Sequence, residues 1–157
     1  MKKIGLIFCI CIGMYFNAYA VKNEKTYKAN EVCKGEASFA CWVSGYGYET
    51  GEDGKKKNLV TAMILYQASC KNGTIQACNS AGSLYRDEFH DDFKAVEFYK
   101  IACDLKDGNG CSNLGIMYLS GKGVKQNSTT ASELFGMGCD LKSELGCKGY
   151  RDLKALK

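Results

Sequence analysis

Four pairs of cysteines, each with its two members eight positions apart, constrain the fold of this chain more than any other feature. The pairs are Cys33 with Cys41, Cys70 with Cys78, Cys103 with Cys111, and Cys139 with Cys147. Successive pairs begin 37, 33 and 36 residues apart. A period of this length is typical of solenoids built from helix-turn-helix units. The pattern therefore predicts a repeat protein with one helical hairpin for each cysteine pair.

The first twenty residues have the composition of a secretory signal peptide. Two lysines precede an apolar run over residues 4–16, and the small residues Ala18 and Ala20 follow it. The apolar run is shorter than the roughly 20 residues that a membrane-spanning helix needs. We expect cleavage after Ala20, a repeat domain over residues 21–157 with no membrane span, and a secreted or periplasmic location.

The mature domain would keep eight of the ten cysteines, an even number in a chain addressed to an oxidising compartment. Eight cysteines allow about 105 pairings, but the internal repeat favours a bond between the two members of each pair. Zinc and redox sites need closer spacings such as C-x-x-C, which this sequence lacks. We predict four disulfides, no metal and no cofactor. Each bond would stabilise its hairpin by about 2.5 kcal/mol on the chain-entropy model.

Aligning the cysteine pairs brings further residues into register. An alanine and, one turn later, an aromatic residue precede the first cysteine of the last three pairs: Ala62, Ala95 and Ala131, then Tyr66, Tyr99 and Phe135. A glycine and then a tyrosine follow the second cysteine of the first three pairs: Gly45, Gly82 and Gly115, then Tyr48, Tyr85 and Tyr118. These spacings place each set on one helical face. Since glycine in a helix costs about 1 kcal/mol relative to alanine, its recurrence predicts close packing between helices.

The predicted fold class is all-α, with two helices in each repeat and no strand. The predicted helices span residues 24–34, 37–48, 59–71, 75–86, 92–105, 110–119, 128–141 and 144–155. The predicted repeats span about residues 24–52, 58–90, 91–126 and 127–157.

The segments CNSAGSLY and CSNLGIMYLSGKGV, which begin at Cys78 and Cys111, resemble Sel1-like repeats. With its paired cysteines, the chain is similar to the Helicobacter cysteine-rich protein family over about residues 27–150. The resemblance implies a right-handed solenoid of about four disulfide-closed αα-hairpins that binds a peptide or protein on its concave face. Ala29 and Arg151 replace the repeat's aromatic residue and glycine in the terminal repeats, where a solenoid needs capping.

The same resemblance raises an alternative function, because some family members are described as binding penicillins or as slow beta-lactamases. Beta-lactam or cell-wall-like ligands would then be the partners. The sequence has no S-x-x-K, S-D-N or K-T-G motif, and its one Y-x-N motif lies in the predicted signal peptide.

His90 is the only histidine, so a histidine-rich metal site is excluded. His90 could act as a base held by a neighbouring carboxylate, but a surface histidine in an acidic turn is the simpler interpretation. The catalytic residues are unassigned.

Trp42 and Tyr46 are the candidate ligand-binding residues because the repeat pattern does not require aromatic residues there. The other repeats carry Asn79, Ser112 and Lys148 at the first position and Ser83, Ile116 and Asp152 at the second. One turn apart, the two aromatic residues could form a ledge for a peptide or an apolar ligand. The alternative is that they cap the open hydrophobic edge of the first repeat. The net charge of +4 falls to near +2 without Lys2 and Lys3, which argues against nucleic acid as a partner.

Overall fold

A computed structural model describes residues 28–52 and 54–155 of the protein. Within these ranges there are helices and connecting turns but no strands, which confirms the all-α prediction. A helical segment over residues 28–32 precedes seven helices: α1 (Ala37–Thr50), α2 (Leu59–Lys71), α3 (Ile75–Asp87), α4 (Asp92–Asp104), α5 (Gly108–Ser120), α6 (Ser128–Asp140) and α7 (Glu144–Ala155). Among these residues, no helix has the length and apolar character that crossing a membrane requires. The predicted signal peptide and its cleavage site lie outside the described residues.

Asparagine and aspartate side chains cap the start of four helices. The side chains of Asn58, Asp91, Asp107 and Asn127 each accept a hydrogen bond from a backbone N–H in the first turn that follows, at 3.0 or 3.1 Å. Such bonds satisfy N–H groups that have no partner inside the helix. The cap at Asp107 explains why α5 begins at Gly108, two residues before the predicted start.

One disulfide closes the turn of each hairpin. The bonds join Cys33 to Cys41, Cys70 to Cys78, Cys103 to Cys111, and Cys139 to Cys147. The Cα atoms of the bonded cysteines lie between 4.3 and 5.7 Å apart, within the range that a disulfide can span. Gly110 and Gly146, which precede the second cysteine in the last two pairs, allow this approach. A Cβ atom at Gly110 would lie 2.5 Å from the Cβ of Ala102 on the preceding helix.

Consecutive hairpins interlock where an aromatic ring covers a glycine of the preceding repeat. A Cβ atom at Gly45 would lie 2.7 Å from the ring of Tyr66, and one at Gly82 would lie 2.6 Å from the ring of Tyr99. Both tyrosines are fully buried. These contacts confirm the close packing predicted from the recurrent glycine. They join the second helix of one hairpin to the first helix of the next.

In the last repeat, the ring of Phe135 contacts a second glycine as well. A Cβ atom at Gly149 would lie 2.7 Å from the ring of Phe135, within the same hairpin. Gly115 approaches the same ring from α5, with a corresponding distance of 3.2 Å. Phe135 therefore packs between two glycines, because Gly115 makes the same contact between repeats as Gly45 and Gly82, and Gly149 adds a contact within the last hairpin.

Candidate functional site

The second helices of successive hairpins contact one another through side-chain hydrogen bonds. On α1, Nε1 of Trp42 donates to Oγ of Ser80 on α3 at 3.1 Å. On α5, Nδ2 of Asn113 donates to Oδ1 of Asn79 on α3 at 2.9 Å. Helices α1, α3 and α5 therefore present one continuous surface. We call this surface the second-helix face and define it by Trp42, Tyr46, Asn79, Ser80, Ser83 and Asn113.

Trp42 and Tyr46 both lie on the second-helix face, but they differ in exposure. Trp42 is partly buried, packs against two clusters of buried core residues, and its ring lies 5.1 Å from that of Phe39. Tyr46 is 50% exposed and lies one turn further along α1. Trp42 thus contributes to packing where the first repeat meets the core. Tyr46 presents its ring to solvent beside it.

The amide groups of Asn79 and Asn113 have hydrogen-bonding capacity left after they bond to each other. An asparagine side chain offers two donor hydrogens and one acceptor oxygen. Among the described residues, Nδ2 of Asn79 and Oδ1 of Asn113 have no other hydrogen bond. One donor group and one acceptor oxygen of the pair therefore remain available. A peptide backbone carries the complementary C=O and N–H groups.

Hydroxyl groups extend this polar surface along α3. Ser83 lies one turn beyond Asn79, and its Oγ shares a hydrogen bond of 3.1 Å with the phenol of Tyr99. The guanidinium of Arg86 lies 5.7 Å from the centre of the Tyr99 ring, within the distance of a cation–π contact. The face thus changes from aromatic at α1 to polar along α3.

His90 lies in a shallow cavity of about 520 Å³ beside Arg86, Asp87 and Lys122, where the second-helix face ends. Nε and Nη2 of Arg86 donate to the carboxylate of Asp87 at 2.7 and 2.9 Å, and this pairing lowers the pKa of Asp87. His90 is exposed and makes no hydrogen bond to any described residue. The carboxylate of Asp91 is instead 3.2 Å from Nζ of Lys94. The hypothesis that a carboxylate holds His90 as a base therefore has no support in this geometry.

Metal-ligating side chains do not cluster in the part of the chain that the structure describes. No group of three or more histidine, cysteine, aspartate or glutamate side chains is placed there to hold an ion. The four cysteine pairs are disulfide-bonded. Hydrogen bonding and apolar contact are thus the chemistry that the second-helix face offers.

The polar residues of the second-helix face were missed when the sequence was considered alone. In the sequence comparison, Asn79 and Ser83 showed only that the positions of Trp42 and Tyr46 need not carry an aromatic residue. A signal was present, because Asn79 and Ser83 occupy the same two positions of their repeat as Trp42 and Tyr46. Side chains one turn apart at corresponding positions must lie on the same face of neighbouring hairpins.

Three buried tyrosines should make the protein sensitive to alkaline pH. Burial raises the pKa of Tyr66, Tyr85 and Tyr99, and a hydrogen bond of 2.5 Å from Tyr66 to Glu49 raises the pKa of Tyr66 further. In the unfolded chain these phenols lose their protons near pH 10. Their contribution to stability is therefore complete below about pH 10 and is lost as the pH rises above it.

We expect these three phenols to ionise only together with unfolding. Tyrosinate absorbance and far-UV circular dichroism, followed in one alkaline titration, would measure the two events. Full ionisation of the described tyrosines with the helical signal unchanged would contradict the packing described above.

Comparison with known proteins assigns the repeat. The model of the Sel1 repeat matches residues 38–74, 76–107 and 108–143. Cytochrome c oxidase assembly factor 7 of Xenopus tropicalis is 31% identical over 121 residues, which cover 71% of this chain and 52% of that protein. The Helicobacter pylori protein HcpD, whose name assigns it provisionally to the beta-lactamases, is 52% identical over 44 residues. This match covers 28% of this chain and 13% of HcpD.

A solved structure shares both the fold and the cysteine-rich character. The structure of Helicobacter pylori cysteine rich protein B superposes with a TM-score of 0.58 and 25% identity, covering 81% of this chain and 92% of that one. The chain spans only about half of the assembly factor and about an eighth of HcpD. The Sel1 model nevertheless matches most of the described solenoid, and disulfides close its hairpins. The chain therefore belongs to the Sel1 repeat family, as a cysteine-rich member.

Proposed function

We propose that this protein is an interaction module that works outside the cytoplasm and binds extended peptide segments of partner proteins on its second-helix face. Sel1 repeats support the role of an interaction module. The observation that carries the choice of ligand is the Asn79–Asn113 amide pair, which keeps one donor group and one acceptor oxygen without a partner among the described residues. An extended peptide could bond to both groups with its backbone, whatever its sequence. Tyr46 would then contact one of its side chains.

The proposed location outside the cytoplasm rests on the disulfides. Disulfides persist in oxidising compartments and are rare in the cytosol. The sequence of residues 1–20 supports the same location, since it has the pattern of a signal peptide. Secretion into the medium and retention in a periplasm both agree with these observations.

The peptide-binding proposal can be tested with the oxidised protein and a random dodecapeptide display library. Trp42 is the only tryptophan, so its fluorescence reports binding near α1 without a label. We expect Tyr46→Ser to lower the affinity for the selected peptides about tenfold. This corresponds to about 1.4 kcal/mol of binding free energy, which is reasonable for one aromatic anchor. Phe93→Ser is the matched control, because Phe93 is 77% exposed and lies on α4, away from this face. An equal effect of both substitutions, or no selected peptide, would contradict the proposal.

Beta-lactam binding or slow hydrolysis is the second candidate function. It is favoured by the name of HcpD together with the 52% identity of the matched segment. No described group has the geometry of a serine or metal hydrolase. A chromogenic cephalosporin and a fluorescent penicillin separate the two candidates. Turnover would support a hydrolase, saturable binding without turnover would support a penicillin-binding module, and neither would leave peptide binding as the function.

A further inference from the structure

An apolar groove separates the first helices of the second and third hairpins, on a different surface from the second-helix face. Two adjoining cavities of about 530 and 510 Å³ form the groove and share Gln67 as a lining residue. The ring of Phe98 stacks on that of Tyr85 at the base, with 5.6 Å between their centres. We call it the α2–α4 groove and define it by Ile64, Gln67 and Lys71 on one side and Phe98, Ile101 and Leu105 on the other.

The α2–α4 groove departs from the repeat pattern on its α2 side. The third repeat carries Glu97, Lys100 and Asp104 at the positions of Ile64, Gln67 and Lys71, and the fourth carries Glu133, Gly136 and Asp140. Of the three α2 residues only Ile64 is apolar, and the glutamates at its position in the other two repeats show that the fold does not need an apolar residue there. Ile101 and Leu105 are also 36% and 39% exposed. The groove therefore presents the side chains of Ile64, Ile101 and Leu105 as apolar surface that is partly open to solvent.

Between its two ends the groove offers few free polar groups, which restricts what it can bind. Nε2 of Gln67 donates to the phenol of Tyr85 at 2.6 Å. The backbone groups of α2 and α4 are bonded within their own helices. An extended peptide buried here would lose the hydrogen bonds of its backbone to water without replacement, and this is costly. A helix satisfies its backbone internally, so an amphipathic helix fits this groove better.

The charges at the two ends of the groove favour an acidic occupant at one of them. Lys94 lies at one end and is paired with Asp91 at 3.2 Å. Lys71 lies at the other end and has no ion-pair partner among the described residues. The distance along α2 from Val60 to Lys71 is about 17 Å at the rise of an α-helix, which is roughly three turns. The charge that remains to be neutralised is thus the ammonium of Lys71.

We propose that the α2–α4 groove binds an amphipathic helix of about three turns from a partner protein, with its apolar stripe on Ile64, Phe98 and Ile101 and a carboxylate against Lys71. This binding site is separate from the second-helix face, and it does not depend on peptide binding there. The protein would then hold two segments of different conformation, one extended and one helical.

The test uses two labelled peptides of the same composition with the full, oxidised protein. One has leucines at i, i+3, i+4 and i+7 and glutamates in its last turn, and the other has its leucines spread evenly around the helix. Fluorescence anisotropy measures their affinities. We expect the first peptide to bind at least about tenfold more tightly than the second. Equal binding of the two peptides, or no saturable binding of either, would overturn the proposal.

Substitutions within the groove locate the binding. Ile64→Glu introduces the residue that the third and fourth repeats carry at this position, so the fold should tolerate it, and circular dichroism would verify this. We expect Ile64→Glu to weaken binding of the leucine-striped peptide at least about tenfold. Lys71→Asp should weaken the same binding about threefold at low salt. Met137→Glu is the matched control, because Met137 is the fourth-repeat counterpart of Ile101 and is 41% exposed.

Other outcomes separate this groove from its alternatives. Tyr46→Ser should leave the helical peptide bound, so failure of one binding site can be told from failure of the other. A loss of affinity as large for Met137→Glu as for Ile64→Glu would overturn the assignment to this groove. A dimer of the protein that sedimentation detects and Ile64→Glu dissociates would overturn it in favour of a second copy as the occupant.

Discussion

Reduction of the four disulfides is expected to unfold most of the solenoid at room temperature. Each bond closes a short turn, for which the chain-entropy model gives about 2.5 kcal/mol. Four such contributions approach 10 kcal/mol, which equals the whole stability of many domains. The four contributions need not add fully to give this result. A single helical hairpin buries too little apolar surface to remain folded alone, so little stability is left when the bonds are lost.

Far-UV circular dichroism of the protein before and after reduction and alkylation measures this effect. The pair of substitutions Cys103→Ala and Cys111→Ala is the graded control, because it removes one bond from an interior hairpin. We expect it to cost about 2.5 kcal/mol and to lower Tm by roughly 5–10 °C while the chain stays folded. A fully reduced protein that melts within a few degrees of the oxidised one would show that helix packing alone maintains the fold.

Gly82→Val should cost about 3 kcal/mol of unfolding free energy, the largest effect that we expect from any single substitution between repeats. A Cβ atom at this position would lie 2.6 Å from the ring of Tyr99, which is fully buried and has no room to move. Overpacking of this kind costs 1–3 kcal/mol, and the branched valine adds to it within a helix. Urea denaturation of the variant measures the loss.

A double-mutant cycle assigns that loss to the contact between Gly82 and Tyr99. In a Tyr99→Leu background, Gly82→Val should cost less, with a coupling energy of at least about 1 kcal/mol. Gly136→Ala is the matched control, because a Cβ atom there would meet the ring of Tyr150 at an ordinary 3.4 Å. We expect that substitution to be neutral or to stabilise α6 by up to about 1 kcal/mol. Equal losses at Gly82 and Gly136 would contradict the interlocking of repeats by glycine and ring.

Most of the fold could be predicted from the sequence because each cysteine pair marks the turn of a hairpin. Once the turns are known, the helical period places every alanine, glycine and aromatic residue relative to them. The alignment did not predict the contact of Phe135 with Gly149, because Gly149 lies outside the positions that recur between repeats.

The candidate site was less predictable, because it depends on contacts between repeats rather than within one. Trp42 and Tyr46 stood out as departures from the repeat, and both lie on the second-helix face. The bond from Trp42 to Ser80 and that from Asn113 to Asn79 join residues whose positions in their repeats differ by one. This offset arises from the way that successive hairpins stack, which no single repeat reveals.

Chemical-shift mapping tests most directly whether the residues of the second-helix face bind peptide. Amide spectra of the oxidised, ¹⁵N-labelled protein would be recorded during titration with peptides selected from the random dodecapeptide library. Binding as proposed predicts shifts concentrated at Tyr46, Asn79, Ser83 and Asn113, including the side-chain amides of both asparagines. Shifts confined to other helices, or an unchanged spectrum at saturating peptide, would contradict it.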